Sequence, residues 1–361
     1  MKHRAMSKKR KFNILNILLV LIAAVCALTI WGMASGLHSQ KAAERWQGEN
    51  ELEFAQLSCF IPEAEKLDVS QIYTFRYAML DKFKEAALDI SSDATLYCDA
   101  WSTGGKVNIS STSGSGEVYA IAVGGSYFSF HPVNLLSGNY ISETDLMQDR
   151  VLLDEDTAWL LFGGTELQGM NVKINGVPFV VAGVIEREDD RASEKAYTNG
   201  MGIFMSYEAY SALTENAGIS CYELVMAEPV DNFSYNFTDE KFPIRGGEIV
   251  ENTGRYSPAS LFKVLKSFGT RSMQTHGVIY PYWENAARYI EDWCALLLLF
   301  TVLAAVIPII SILVWAVKLI RRGKRGLEEE LMPRIKENAE EAIRVRQRRR
   351  WEKKRGIHEK R

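Results

Sequence analysis

Apolar residues follow two different patterns along this 361-residue chain. Residues 12–40 and 293–317 contain no Asp, Glu, Lys or Arg. Each run exceeds the ~20 mostly apolar residues that a helix needs to cross about 30 Å of hydrocarbon. The pattern therefore predicts two membrane-spanning helices, at 12–36 and 293–317. Pro308 inside the second is compatible with a membrane helix and marks a candidate kink. The first run follows a basic stretch and ends near Ala34 and Gly36, as a cleaved signal would. Its apolar core is longer than the roughly 7–15 residues of a signal peptide, which favours a retained anchor.

Between the runs the periodicity becomes that of a folded domain. Ile72, Phe75, Met79, Phe83, Ala86 and Ile90 recur three or four apart, which predicts an amphipathic helix over 69–90 packed on a sheet. ATLYCDAW (94–101), KVNISS (106–111) and GEVYAIAV (116–123) read as three strands punctuated by Gly and Ser. RVLLDEDTAWLLFGG (150–164) reads as a strand and then a helix, with Asp154, Glu155 and Asp156 at its positive end and Gly163 as its stop. The three carboxylates suit helix capping, since no second ligand group is spaced to close a metal site. In MNVKINGVPFVVAGVIE (170–186), Asn175-Gly176 between apolar runs predicts a hairpin. The charged loop EREDDRASEK (186–195) reads as a solvated connection or a contact surface. YELVMAEPV (222–230) predicts a further strand, and SPASLFKVLKSF (257–268) a further helix. Strands and helices mix without strict alternation, which argues for an α+β domain held between two transmembrane helices.

Charge changes the picture by giving it an orientation. Residues 1–11 carry six Lys or Arg and no acid, and residues 318–361 carry seventeen basic and eight acidic side chains. The remainder, residues 12–317, holds 19 basic against 37 acidic side chains, so the overall charge of −3 conceals a basic, acidic, basic layout. Lys and Arg are retained on the cytoplasmic side, so both termini are expected inside and the acidic domain outside. Lys318, Arg321, Arg322, Lys324 and Arg325, directly after the second span, are placed to contact anionic lipid headgroups. Beyond them the tail reads as a helix, or a helix pair broken near Pro333. Its thin stripe of Leu327, Leu331, Ile335, Ala342 and Val345 suits docking on a protein. The Arg-rich end with Trp351 suits a lipid surface, and a solvated tail remains the plain alternative. A basic run beside an anionic membrane needs no nucleic acid to explain it.

Candidate chemistry adds little. Gly124 and Gly125 precede Tyr127, Phe128 and Phe130 in VGGSYFSF, but neither phosphate-loop spacing occurs and no Lys or Arg is near. The aromatics read as a strand edge or a buried cluster. His38, His131 and His276 lie apart with no metal-ligand spacing. Ser260 and Lys263 match the SxxK of Ser-Lys acyl enzymes without its companion motifs. Of five cysteines, Cys59, Cys98 and Cys221 lie outside the spans, enough for at most one internal disulfide and one spare thiol. Asn108, Asn232 and Asn236 begin glycosylation matches that matter only in a eukaryotic secretory setting. No cofactor or catalytic residue is indicated.

The order of features does resemble a known family. YAIAVGGSYFSFHPVNLLSGNYISETD (119–145), RVLLDEDTAWLLFGG (150–164) and GMNVKINGVPFVVAGVIE (169–186) resemble the extracytoplasmic core domain of MacB-like ABC transporter permeases. The resemblance falls on Tyr127 and Phe128, Gly138, Asp145, Phe162 and Gly163, Gly169, and Val181, Gly183 and Val184. Asn139 stands where that family usually has Arg. Such permeases usually place one helix before the outer domain and three after it, whereas this chain has one apolar run after it. The resemblance thus implies a shortened, non-catalytic, bacterial plasma-membrane member in an ABC-type export or mechanotransmission system. It would work with a separate ABC ATPase and a multi-span permease or sister subunit. Two other classes stay open: a bitopic sensor or scaffold whose outer domain binds a ligand or envelope component, and an anchored hydrolase built on Ser260 and Lys263.

Overall fold

Local alternation and turn chemistry account for most of the strands, and the computed structural model joins them into one ten-stranded mixed sheet. It describes residues 8–48, 52–88, 96–142, 145–188, 191–196, 200, 202–214, 217–243, 246–274, 276–326 and 332–358. The chain begins with α1 (Lys8–Ser35), a 3-10 turn (His38–Lys41) and α2 (Ala42–Gln47), which lead into β1 (Phe54–Phe60) and α3 (Val69–Glu85). A long hairpin of β2 (Tyr97–Ser110) and β3 (Ser115–Gly125) precedes α4 (Tyr127–Phe130), β4 (Leu135–Gly138), β5 (Arg150–Asp154) and α5 (Glu155–Phe162). Next come β6 (Asn171–Ile174), β7 (Val177–Ile185), α6 (Arg191–Ala196), β8 (Gly202–Ser206), α7 (Tyr207–Leu213) and β9 (Cys221–Ala227). The chain ends with α8 (Phe233–Lys241), β10 (Glu248–Glu251), α9 (Pro258–Val264), α10 (Tyr282–Gly326) and α11 (Met332–His358).

The strand order is β10-β1-β9-β2-β3-β8-β5-β7-β4, with β6 pairing β2 and β7. Pairs β3/β8 and β5/β7 are parallel and the others antiparallel. Two cores share the sheet. One gathers Ile72, Phe75, Met79 and Phe83 of α3 over β1, β9 and the start of β2. The other packs Ala158 and Leu161 of α5 against Val107, Ile109, Val151 and Val181.

The two strands expected at 94–101 and 106–111 are one, β2, which serves both cores. Gly104 and Gly105 sit mid-strand and do not break it. A Cβ on Gly104 would stand 2.7 Å from the Ala120 carbonyl oxygen and 2.8 Å from the Tyr119 ring, so glycine lets that tyrosine lie across the strand.

Local signals decide several termini. α3 opens with Asp68 accepting from the Gln71 N–H at 3.0 Å while the Gln71 side chain accepts from the Asp68 N–H at 3.1 Å, a reciprocal cap. It ends at Glu85, short of the expected 90; Ala86 lies past its end, and Ile90 falls outside the described residues. Asp154 caps α5 through the Thr157 N–H at 2.7 Å, and Gly163 closes it at φ +74°. Asn175 and Gly176 both have positive φ, as a two-residue hairpin turn requires.

Three further expectations are corrected. Tyr127, Phe128 and Phe130 form the helical turn α4 and not a strand edge, although the aromatic cluster is present. The loop 186–195 is not simply solvated: α6 begins at Arg191 and buries Ala192, Ser193 and Ala196. Pro333 lies in the first turn of α11, where its missing N–H costs nothing. Leu327 and Leu331 of the expected stripe fall outside the described residues, and Ile335, Ala342 and Val345 are exposed.

All five cysteines are free. Cys59 is paired with Tyr222 in the β1/β9 ladder and Cys221 with Phe60, so the two thiols point to opposite faces of the sheet.

Residues 28–298 make one compact unit, and residues 1–27 with 299–361 a second. In the second, Ser311 donates to the Asn16 side-chain oxygen at 3.1 Å. α1 and α10 are each long and apolar enough to cross a membrane. Exposed side chains such as Leu21, Ile312 and Trp315 suit lipid contact. α10 passes through Pro308 as one helix and begins eleven residues before the apolar run.

Candidate functional site

Those early turns of α10 carry the most concentrated charge in the interior. Glu284, Arg288 and Glu291 recur at i, i+4 and i+7, which puts them on one helix face, and all three are buried. Arg255, between β10 and α9, meets that face. Its guanidinium donates to both Glu284 oxygens at 2.8 Å, to Glu291 at 3.0 Å, and to Gln40 and Asn252 at 3.0 Å each. Arg288 donates to Glu284 at 2.6 Å, approaches Glu248 at 2.9 Å and stacks over the Tyr280 ring at 3.9 Å. Arg271 adds a second donor to Glu291 at 2.9 Å. Three guanidinium groups thus face three carboxylates, and the charge balances.

The electrostatics follow the geometry. Burial works to lower the Arg255 value, and the Glu284 and Glu291 carboxylates outweigh it, holding that group charged well above its ordinary range. Burial works to raise Glu291, and the Arg255 and Arg271 guanidiniums more than offset it, so its carboxyl is held below its usual value. Burial and the 2.5 Å hydrogen bond to Glu248 push the Tyr280 hydroxyl up to about 12. A buried pair of this kind adds little net stability over an apolar substitute, but removing one partner is costly because the other charge stays buried.

The grid continues into the sheet as a thread of buried polar groups. Asn252 accepts from Arg255 and donates to the Ser58 hydroxyl at 2.8 Å; Ser58 donates to Glu223 at 3.4 Å. The other Glu223 oxygen lies 2.5 Å from His131 Nε2. The His131 ring sits 4.6 Å from that of Tyr127 and 4.5 Å from that of Trp283, the second residue of α10. Gln56 anchors the segment after α1 to the same place, accepting from the Ala42 N–H at 2.8 Å and donating to the Ser39 carbonyl at 2.7 Å.

Beside this junction lies a cleft of about 790 Å³. Tyr119, Ile121, Phe204 and Tyr210 line it from the sheet side, and Tyr280 and Tyr282 from the segment that starts α10. Glu63, Glu65 and Glu186 stand at its exposed edge. Asp154 also lines it but is committed to structure, accepting from the Gly202 N–H at 2.6 Å as well as capping α5; burial pushes its carboxyl up.

Tyr127 and Phe128 meet edge to face at 5.5 Å. Gly138, at φ +78°, faces the Ala182 and Gly183 backbone, and a Cβ on Gly183 would stand 2.5 Å from the Ser137 carbonyl oxygen, so this pair lets β4 lie against β7. Asp145 approaches Arg150 at 3.3 Å. Phe162 packs on the second core, and Gly169 donates its N–H to the Val181 carbonyl at 2.8 Å. These residues are spread over both cores, Tyr127 in the first and Phe162 on the second, and are not gathered into a reactive centre. Lys318, Arg321, Arg322, Lys324 and Arg325 are exposed on the last turns of α10.

Ser260 shares a 2.9 Å hydrogen bond with Ser257, the cap of α9, which gives SxxK a structural explanation. No group of three His, Cys, Asp or Glu side chains suited to a metal occurs among the described residues. The charged grid was not anticipated. Acidic and basic residues at helical spacing just before an apolar run were its one signal, and nothing in the sequence points to Arg255.

Comparison with known proteins decides the family. Residues 14–233 match the model of the MacB-like periplasmic core domain. The chain belongs to that family. It is a component of an ABC-type transporter at the membrane, as the sequence resemblance implied. Similar solved structures include the periplasmic region of MacB from Actinobacillus actinomycetemcomitans, at 16% identity and a TM-score of 0.43, covering 62% of this chain and 95% of that one. The extracellular domain of the noncanonic ABC-type transporter YknZ from Gram-positive bacteria matches at 13% identity and 0.37, covering 55% and 100%. A domain of a putative permease protein from Porphyromonas gingivalis matches at 12% and 0.32, covering 55% and 87%. No curated protein gave a significant match. The charged grid contributed by Arg255, Glu284 and Glu291 lies beyond the part of the chain that the MacB-like model matches.

Proposed function

We propose that this MacB-like protein is a non-catalytic subunit that couples ATP-driven motion of partner subunits to its outer domain. In this reading residues 1–11 and 318–361 are cytoplasmic, 12–36 and 293–317 cross the plasma membrane, and 37–292 form the extracytoplasmic domain. The partners are an ABC ATPase subunit and a multi-span permease or sister subunit, with anionic lipid held by Lys318, Arg321, Arg322, Lys324 and Arg325. The observation that carries the proposal is that α10 is a single helix over Tyr282–Gly326 whose first turns are gripped by Arg255. An unbroken helix rising about 1.5 Å per residue transmits displacement, and a buried ion grid at its start keeps it from slipping in the domain.

Affinity purification of the full chain in mild detergent, with identification of co-eluting proteins, tests the proposal. Recovery of an ABC ATPase supports it, and repeated recovery of the chain alone counts against it. The cleft beside the junction favours a second reading, a bitopic sensor whose outer domain binds a ligand. Full activity after deletion of all transporter genes would select that reading.

A further inference from the structure

The helix α11 carries its charged and apolar residues in an order that neither a solvated tail nor a lipid surface explains. Within it, residues 332–341 hold three acidic and two basic side chains, the acids all in 337–341, whereas residues 344–358 hold eight basic and one acidic. Met332–His358 is one continuous helix, so its two halves lie along one axis and cannot fold onto each other. Within the basic half, Arg344 and Arg348, and likewise Arg346 and Arg350, stand at i, i+4, where like charges repel. Glu337, Glu340, Glu341, Arg346 and Arg349 are exposed, and none takes part in an ion pair with another described residue.

A helix that beds into an anionic membrane has its basic flanks and its apolar face in the same turns. Here they are separated. Met332, Ile335, Ala339 and Ile343 make an exposed stripe on the first half, where Glu337, Glu340 and Glu341 lie, while the basic residues 344–351 offer only Val345 and Trp351. Anionic lipid would attract the turns of Arg344–Arg350 but repel the turn of Glu337, Glu340 and Glu341 that presents Ala339 and Ile343. A protein helix of the opposite charge order fits both halves, and a second copy of this chain laid antiparallel has that order.

We infer that α11 pairs with α11 of a second copy, antiparallel, about a two-fold axis at Ile343. An isologous contact of this kind sets each residue against a different residue of the other copy except at the axis. Glu337 then faces Arg349 of the partner subunit, Glu340 faces the partner's Arg346, and Ala339 faces the partner's Gln347. Two copies entering from one membrane satisfy this geometry when the axis runs along the membrane normal and both helices lie across it. The pairing stands on the tail alone and does not depend on the coupling role.

The test co-expresses two differently tagged full-length chains in native membranes, one with Ala339→Cys and the other with Gln347→Cys, followed by mild oxidation. A mixed-tag disulfide several-fold above both the unsubstituted chain and the Ala339→Cys homopair is expected. A stronger homopair adduct would show parallel packing, and no adduct above the unsubstituted chain would show no pairing; either overturns the inference. Charge exchange provides a second arm with the same cysteines. Glu337→Arg/Glu340→Arg/Glu341→Arg in both copies, or Arg346→Glu/Arg349→Glu/Arg350→Glu in both, should abolish the adduct, and one of each should restore it. Adduct yields indifferent to these exchanges would overturn the charge complementarity on which the pairing rests.

Discussion

Arg255 grips Glu284 through two hydrogen bonds of 2.8 Å, and both side chains are almost wholly shut off from water. The contact ties the turn after β10 to the first turns of α10. Removing the guanidinium leaves Arg271 and Arg288 against three carboxylates, one buried charge uncompensated, so Arg255→Ala should destabilise residues 28–298 by about 3–5 kcal/mol. Denaturant unfolding of the purified chain, followed by tryptophan fluorescence, measures this. Arg255→Met combined with Glu284→Gln should recover part of that loss, because Arg288 keeps Glu248 and Arg271 keeps Glu291, so two cations still face two carboxylates. If the grid transmits force, the double variant recovers stability without recovering transport.

Glu291 gives the grid a pH dependence whose sign is fixed. Its folded value lies below its ordinary 4.5, so the unfolded chain binds more protons across the carboxylate range. The stabilisation is complete above that range and is lost as pH falls through the folded value. Wild type and Glu291→Gln should therefore differ in unfolding free energy by a constant amount above about pH 5, and the difference should shrink on acidification. Paired denaturation curves between pH 7 and the acid limit of solubility would read this out.

Gly183 and Gly163 offer a contrast between space and conformation. A Cβ at Gly183 would meet the Ser137 carbonyl oxygen at 2.5 Å and push β4 from β7, whereas Gly163 has open space and needs only a positive φ. Gly163→Ala should cost about 1 kcal/mol. Gly183→Ala should cost more, on the order of 2–3 kcal/mol, and should raise amide exchange in β4. Equal costs would contradict the close β4/β7 approach.

Cys59 and Cys221 should not bridge under oxidation. They are neighbours in the β1/β9 ladder but project to opposite faces, and burial pushes both thiols up, which suppresses the reactive thiolate. Mass spectrometry after mild oxidation of the folded chain should find neither a Cys59–Cys221 disulfide nor alkylation of these thiols until denaturant is added.

How much of the fold can be read from the sequence depends on how local each cause is. Asp154, Gly163 and the Asn175-Gly176 turn act over three or four residues, so their roles follow from spacing alone. The continuity of β2 through Gly104 and Gly105 does not, because it depends on Tyr119 lying across the strand from β3. The burial of α6 likewise depends on packing partners distant in sequence, including Leu261 and Ile290. Family membership was legible across residues 118–186, where strand, turn and glycine features follow one another in order. The charged grid was hidden because its ion-paired members lie up to 40 residues apart, and a buried Arg looks like an exposed one in sequence.

The sequence by itself determined two helices able to cross a membrane and an acidic segment flanked by basic ends, since length, polarity and charge are additive along a chain. It also determined the helix caps and the tight turn, which need only neighbouring residues. Only the tertiary structure decided which buried charges face one another, that the sheet carries two cores through one long hairpin, and that cysteines adjacent in a ladder point apart. Those outcomes depend on strand register and on low-dielectric contact between distant residues, and neither can be computed from a residue's own neighbours.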